Sequence, residues 1–352
     1  GNEAAPFLDQ KAFCALLQPG GIPRYEAGDV GAFCEPARLA QLGWIDSVVD
    51  DMDRDLLPAA TALGFSELLV RNLEKSPKSG YEDLNTEMGI RVPAITMEGF
   101  DVRLEPLYIL ISEKVIVTIH TKEVQRFLRL RRYAEPLLKK IPADLPPKDK
   151  MTLLLVRIID ENNARNFDYL AEIEEHGDRL FQVLSDPKTP RSVIAPKIYE
   201  MKHALILYLG GLWATVDAFS SLRYGDAELL TDEDRILGRV NALIGEVQAQ
   251  IGLAEHLSEV LASGLEVLQS IYNNQLQIMN NKLAKLVAYL TIVGTALLVP
   301  NTIATVAGNQ MFAFGPRHVP LYLLTIIVST VVATYGSWWV LKKYGLLPEQ
   351  IE

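Results

Sequence analysis

Cysteine is almost absent from the 352 residues. Cys14 and Cys34 are too few for a disulfide framework, and neither sits in the Cys-x-x-Cys spacing that holds zinc or runs thiol redox chemistry. Both are expected to be reduced thiols facing a cytoplasm. There is no Gly-Lys-Ser/Thr phosphate loop, no dinucleotide fingerprint and no nucleophile elbow, which argues against a nucleotide-driven pump and against an enzyme; no cofactor or nucleotide is expected. His120, His176, His203, His256 and His318 show no close metal-ligand spacing; only His318 is singled out, as a loop histidine, and there an interfacial histidine is favoured over a Zn²⁺ or pH-sensing role. Positive charge is in deficit, 34 Lys and Arg against 44 Asp and Glu, for a net charge of −10. That balance disfavours nucleic acid as a partner and raises the local concentration of cations. Residues 1–20 lack a basic segment followed by an apolar one, so the body is expected to stay in the cytoplasm.

Charge is also missing from the end of the chain. After Lys285 only Arg317, Lys342, Lys343, Glu349 and Glu352 are charged, which leaves −11 on residues 1–285. Residues 286–307 and 319–341 are uncharged apolar runs of 22 and 23 residues, each long enough to cross a bilayer as a helix. A buried core helix explains one such run, but two in succession predict a transmembrane hairpin. Lys282 and Lys285 precede the first span, and Lys342 and Lys343 follow the second, so this shared side is expected to be cytoplasmic. Trp338, Trp339 and Tyr344 suit an interfacial belt there. The expected location is the inner or plasma membrane, multi-pass, with the lipid bilayer as a partner.

The preceding body reads as an α/β (α+β) domain over residues 1–145, then a helical bundle and stalk over 146–285. Leu107–Ile111 and Val115–Ile119, split by Ser112-Glu113-Lys114, predict a β-hairpin. Pro142, Pro146 and Pro147 interrupt regular structure before an almost wholly helical stretch. Thr231-Asp-Glu-Asp234 starts a helix that meets no proline until Pro300; from Thr231 to Ala307 it would extend roughly 115 Å. Leu237, Val240, Ile244, Val247, Ile251, Ala254, Leu261, Leu265, Leu268 and Tyr272 follow the three- and four-residue steps of a packed seam. Gly238, Gly245 and Gly252 repeat at seven and would permit close helix approach. Asp46, Asp50, Asp51, Asp53 and Asp55 are expected on a solvated face or helix start, and Arg126, Arg129, Arg131 and Arg132 in solvated ion pairs.

In the first span Thr291, Thr295, Thr302, Thr305 and Asn309, with Leu298 between, recur at steps of four and three, and Asn301 adjoins their face. Two readings are equal on these residues: a polar helix–helix contact, and a pore lining. Two helices enclose no pore, so the second reading requires a symmetric homo-oligomer.

A long helix entering the first of two C-terminal spans, joined by a short polar Gly-containing loop, resembles the CorA-type magnesium transporter family. The residues that carry the resemblance are Asn281-Lys282, Leu290-Thr291-Ile292, Pro300, Gly308-Asn309-Gln310 and Phe312 in family order, with Trp44-Ile45-Asp46, Val117–His120 and Glu123-Val124 in the body. The resemblance covers nearly the whole chain. It implies a funnel-shaped homopentamer with both termini cytoplasmic, a pore-lining first span (286–307), an external loop (308–318), a second span (319–341) and a tail (342–352). The family's Gly-Met-Asn entrance maps onto Gly308, Asn309 and Gln310, where amide oxygens would hold a transient hydrated cation, most simply Mg²⁺.

The sequence departs from the family at several places. Asn309-Gln310 replaces Met-Asn, the 308–318 loop has no Asp or Glu, and a pore asparagine falls on Ala284. The family's regulatory carboxylates would fall on Leu68–Asn72, where Arg71 and Asn72 stand, and near Ala249; Mg²⁺-driven closure there is expected to be weak or absent, with Glu246 as a displaced ligand at most. The expected function is passive divalent-cation uptake, with Leu298 a hydrophobic constriction and Asn301 and Thr302 alternatives for one layer. Transport of Zn²⁺, Co²⁺ or Ni²⁺, or a membrane-tethered cation sensor or scaffold without conduction, are the alternatives.

Overall fold

The structure, a computed structural model, describes residues 10–184, 191–309 and 315–345. In chain order the elements are β1 (Ala12–Leu17), β2 (Arg24–Ala27), α1 (Cys34–Arg38), β3 (Leu42–Val49), α2 (Met52–Ala62), α3 (Glu67–Glu74), β4 (Gly80–Asp83), β5 (Glu87–Glu98), β6 (Asp101–Ser112), β7 (Val115–Thr121), α4 (Gln125–Leu130), α5 (Ala134–Lys139), α6 (Pro147–Asn163), α7 (Asn166–Leu184), α8 (Arg191–Tyr224), α9 (Asp234–Ala307) and α10 (Val319–Lys343). The chain divides into two compact units, Gly1–Leu265 and Glu266–Glu352.

The strands of the first unit make one sheet of order β2-β1-β3-β7-β6-β5-β4. Only β3 and β7 run parallel, with Trp44 opposite Ile116 and Asp46 opposite Thr118. This central pair is covered on both faces, which is why its residues are buried almost without alternation. The expected hairpin is β6–β7, with Ile111 opposite Ile116 across Glu113 and Lys114. β5 and β6 pair along their whole lengths, and Gly99 at φ +61° takes the left-handed conformation that their two-residue turn needs.

On one face Ile45, Val117 and Leu110 pack against Leu56 of α2 and Leu69 and Leu73 of α3. Asp51 caps α2 by accepting the Asp53 amide, and Asp53 and Asp55 occupy its first turn, so this part of the acidic run is a helix start. The other face is covered by α5 and α6, and α8 packs along β4, β5 and β6. At Gly211 of α8 a Cβ would sit 2.6 Å from Leu104 and 3.1 Å from Ile95, so glycine sets how closely α8 approaches β5 and β6.

α9 is one helix of 74 residues that passes through Pro300 without a break. Val240, Val247, Ile251, Ala254, Leu261 and Leu268 of its apolar series are buried, whereas Tyr272 is 58% exposed. From Ser270 to Val287 no residue is buried. Gly238, Gly245 and Gly252 lie on the exposed face, and a Cβ on any of them would meet nothing within 4 Å; the close approach their repeat permits does not occur within one chain.

Candidate ion pathway

By length and composition three helices among the described residues are apolar enough to cross a membrane: Ser192–Tyr224, Asp234–Ala307 and Pro316–Lys343. They differ in what covers them. The apolar stretch of the first is 56% buried within its own unit, while those of the other two are 6% and 0% buried. Burial in a protein core accounts for the apolarity of α8; nothing among the described residues accounts for that of the last turns of α9 or of α10.

In the end of α9 the covered side and the polar side are separate. Ala288 is buried and Ile292, Ala296, Ile303 and Ala307 are half-buried, and the Tyr322 hydroxyl of α10 donates to the Ala304 carbonyl at 3.3 Å. Thr291, Thr295, Leu298, Thr302, Thr305 and Asn309 fall within a sector of about 80° at 100° per residue, with Asn301 just outside it. All of these are exposed except Thr295, which is half-buried. Each threonine hydroxyl in the stripe donates to the carbonyl four residues back: Thr291 to Val287, Thr295 to Thr291 and Thr302 to Leu298 at 2.8 Å, and Thr305 to Asn301 at 2.7 Å. With its hydrogen committed to the helix, such a hydroxyl offers only acceptor lone pairs outward.

α9 ends at Ala307. The Gly308 amide still donates to the Ala304 carbonyl at 2.9 Å, and the Asn309 amide turns back to Val306 at 3.3 Å. Gly308 and exposed Asn309 therefore stand at the negative end of the helix dipole, where a cation is favoured. Gln310, with Phe312, lies outside the described residues. At the other end of α10, the Lys342 and Lys343 ammonium groups stand over the Trp338 and Trp339 rings at 5.0 and 4.9 Å.

The expected regulatory positions carry no metal cage. Arg71 is paired with Glu67; Asn72 donates to Glu82 and accepts from Lys75, both at 2.8 Å. Glu246 and Ala249 are exposed on α9, and the described residues hold no group of three His, Cys, Asp or Glu side chains placed to bind a metal. Cys14 and Cys34 are free thiols, and burial pushes Cys14 up to about 12.

Two expectations about charge are corrected. Asp46 is fully buried rather than on a solvated face, and Arg126 and Arg131 are buried rather than in solvated pairs. Asp46 Oδ2 accepts from Arg131 Nε at 2.7 Å, while Oδ1 accepts from the Thr118 hydroxyl at 2.5 Å and faces His120 Nε2 at 3.0 Å. Trp44 Nε1 donates to Thr118 at 3.1 Å. The Trp44-Ile45-Asp46 and Val117–His120 segments thus meet in one polar knot inside the sheet. A charged residue within an apolar central strand is the signal that points to such a knot, since it must find a buried partner.

A protein-family model described as "CorA-like Mg2+ transporter protein" matches residues 40–343. No curated protein sequence matches the chain. Among solved structures, the complete CorA magnesium transporter of Methanocaldococcus jannaschii is similar at a TM-score of 0.66 and 19% identity, over 94% of this chain and 97% of that one. The full-length CmaX protein is similar at 0.62 and 15%, over 95% and 98%. The ZntB cytoplasmic domain of Vibrio parahaemolyticus is similar at 0.55 and 12%, over 74% of this chain and 98% of that one. At these identities the likeness is one of fold.

Proposed function

Because the chain belongs to the CorA-like Mg²⁺ transporter family, whose members are ion transporters rather than enzymes, we propose that it is a passive divalent-cation channel that carries Mg²⁺ through a homopentameric pore. In this reading the end of α9 and α10 are a transmembrane hairpin (286–307 and 319–341) joined by an external loop. The 1–145 domain, the 146–285 bundle and both termini lie on the cytoplasmic side of the inner or plasma membrane. Lys342 and Lys343 at the end of α10 support that orientation, since lysine is in excess on the cytoplasmic side, and the Trp338 and Trp339 rings beneath them suit a membrane–water interface on either side.

The stripe from Thr291 to Asn309 carries the proposal. A hydrated Mg²⁺ gives up its water reluctantly and turns the hydrogens of its shell outward, so it is best received by acceptors. Hydroxyls whose own hydrogens are spent on the helix are such acceptors, repeated by symmetry around a pore axis. Leu298 is the apolar constriction in the stripe, and either Asn301 or Thr302 supplies the polar layer beside it. Gly308, Asn309 and Gln310 form the entrance at the negative helix end. The inward drive is the membrane potential, about 4.6 kcal/mol per 100 mV for a divalent ion, so no nucleotide is needed.

Packing also supports the oligomer. An unburied helical stretch from Ser270 to Val287 exposes Tyr272, Ile278, Met279, Leu283 and Leu286 by about half each, a surface that further copies would cover.

The test is ion flux into liposomes carrying the protein, comparing Mg²⁺, Co²⁺, Ni²⁺ and Zn²⁺, with Gln310→Ala and empty vesicles as controls. Mg²⁺ entry lowered by the substitution is the expected result. Entry of only a softer metal would mean that the Asn309-Gln310 loop has redirected selectivity. Intact oligomers that pass no ion would favour a membrane-tethered sensor, the reading to which the lack of Asp and Glu in the 308–318 loop lends weight.

A further inference from the structure

Of the basic run, the two arginines of α4 do not go into ion pairs. Arg126 and Arg129, one turn apart on α4, meet Arg165, which immediately precedes α7, around a cavity of about 360 Å³ that Thr96, Tyr169 and Gln125 also line. Arg126 is only 4% exposed, and its guanidinium donates to the Asn162 and Ile95 carbonyls. None of the three arginines makes an ion pair with a carboxylate among the described residues. Arg165 lies against the Tyr169 ring at 5.3 Å, which holds its planar head without neutralising it.

A buried guanidinium that meets only carbonyls, with two more beside it, is costly unless an anion is present. Burial lowers the affinity of Arg126 for its proton; Tyr169 and Tyr208 oppose this, and Arg165 and Arg129 add to it by repulsion. Glu98, Asp101, Glu123 and Arg103 also line the cavity, and two of these carboxylates act on Arg103. Asp101 pairs with Arg103 at 2.7 Å, and Glu123 acts on that same arginine. Burial raises Glu161 above the usual carboxylate range although Arg129 draws it down. Glu98 stands exposed at the rim. In a body whose net charge is −11, the lining places three arginines without a carboxylate partner side by side, one of them buried, and is net positive although Glu98, Asp101 and Glu123 share it.

We propose that the cavity between the end of the β5–β6 hairpin, α4 and the first turn of α7 binds a small free anion of the phosphate class, phosphate or a polyphosphate chain, through Arg126, Arg129 and Arg165. Guanidinium forks match the paired oxygens of a phosphoryl group, and three of them suit a multiply charged chain better than a monoanion. The site lies in the first unit and involves none of the pore residues, so it stands apart from the conduction reading.

The experiment is calorimetric titration of the full-length protein in detergent with pyrophosphate, in EDTA so that no cargo metal takes part, with inorganic phosphate, ATP and sulfate as further probes. Arg129→Gln and Arg165→Gln, singly and together, are the variants, because both side chains are exposed and their loss leaves buried Arg126 in place. Saturable pyrophosphate binding of one per chain, weakened at least tenfold in the double variant without a change in its ligand-free melting temperature, is expected. ATP binding that is lost in the same variants would support the proposal and show that the chain can carry a nucleoside. No pyrophosphate binding at millimolar concentration would overturn it, as would binding in the double variant within twofold of wild type. Sulfate binding as tight as pyrophosphate would reduce the site to a non-selective basic patch and overturn the phosphate class.

Discussion

Replacing Asp46 by asparagine removes one negative charge from a knot in which Arg131 and His120 are as fully buried as the carboxylate itself. The amide keeps the shape, but it sets a neutral group where the Arg131 Nε donates at 2.7 Å and where His120 Nε2 lies at 3.0 Å. Breaking a buried pair from one side costs about 3 to 5 kcal/mol, because the remaining charge stays buried without a partner. For a folded unit of this size that corresponds to a melting temperature lower by roughly 10 °C. The assay is thermal unfolding of the full-length protein in detergent, followed by far-ultraviolet circular dichroism, with Asp46→Asn/Arg131→Met as the second leg of a double-mutant cycle. Removing both charges should cost less than the sum of the two single changes. Dependence on pH gives a second readout. Burial pushes the Asp46 carboxyl up, but His120, Arg131 and the Thr118 hydrogen bond outweigh it and hold the group at about 2, below the ordinary 3.8. A depressed pKa stabilises the fold above the unfolded value and ceases to do so as pH falls through the folded one. The advantage, about 2 kcal/mol, should therefore be whole above about pH 5 and disappear towards pH 2. An Asp46→Asn protein that melts within 2 °C of wild type, or whose deficit persists unchanged at pH 2, would refute the reasoning.

Thr302→Val keeps the shape of the side chain and removes an acceptor oxygen from the stripe; Mg²⁺ flux should fall severalfold while the oligomer, measured by light scattering, stays intact. Gly211→Ala places a methyl 2.6 Å from Leu104 and 3.1 Å from Ile95, and overpacking of that kind should cost about 1 to 3 kcal/mol in denaturant unfolding. Glu246→Ala should leave any Mg²⁺-dependent change in subunit spacing, measured by distances between spin labels, as it is in wild type; abolition of such a change would show that Glu246 is a ligand after all.

Much of the helical part was legible because its signals are local. The capping residues before Asp234, the absence of proline up to Pro300 and the three- and four-residue steps through Leu268 all depend on near neighbours in the chain. The β6–β7 hairpin was readable for the same reason. The sheet order was not, since the parallel pairing of β3 with β7 joins segments about seventy residues apart and leaves no short-range trace. Charge misled where burial decides the outcome. Arg126, Arg131 and Asp46 look like surface residues in a window of ten, yet Arg131 meets Asp46 across 85 positions of chain. The threonine stripe was visible as a period; that every hydroxyl in it donates inward emerged only with the helix in three dimensions.

The central claim is that this stripe faces moving ions, and thiol modification during flux tests it most directly. In a background of Cys14→Ala and Cys34→Ser, cysteine would be placed at Leu298, Thr302 or Thr305 in the stripe. Controls would carry it at Val293 or Leu297, which are 55% and 67% exposed on a different face of the same helix. A small charged thiol reagent added to Mg²⁺-conducting liposomes should block flux through the stripe variants and leave the Val293 and Leu297 variants conducting. Equal block on both faces, or block at Val293 and Leu297 alone, would contradict the account.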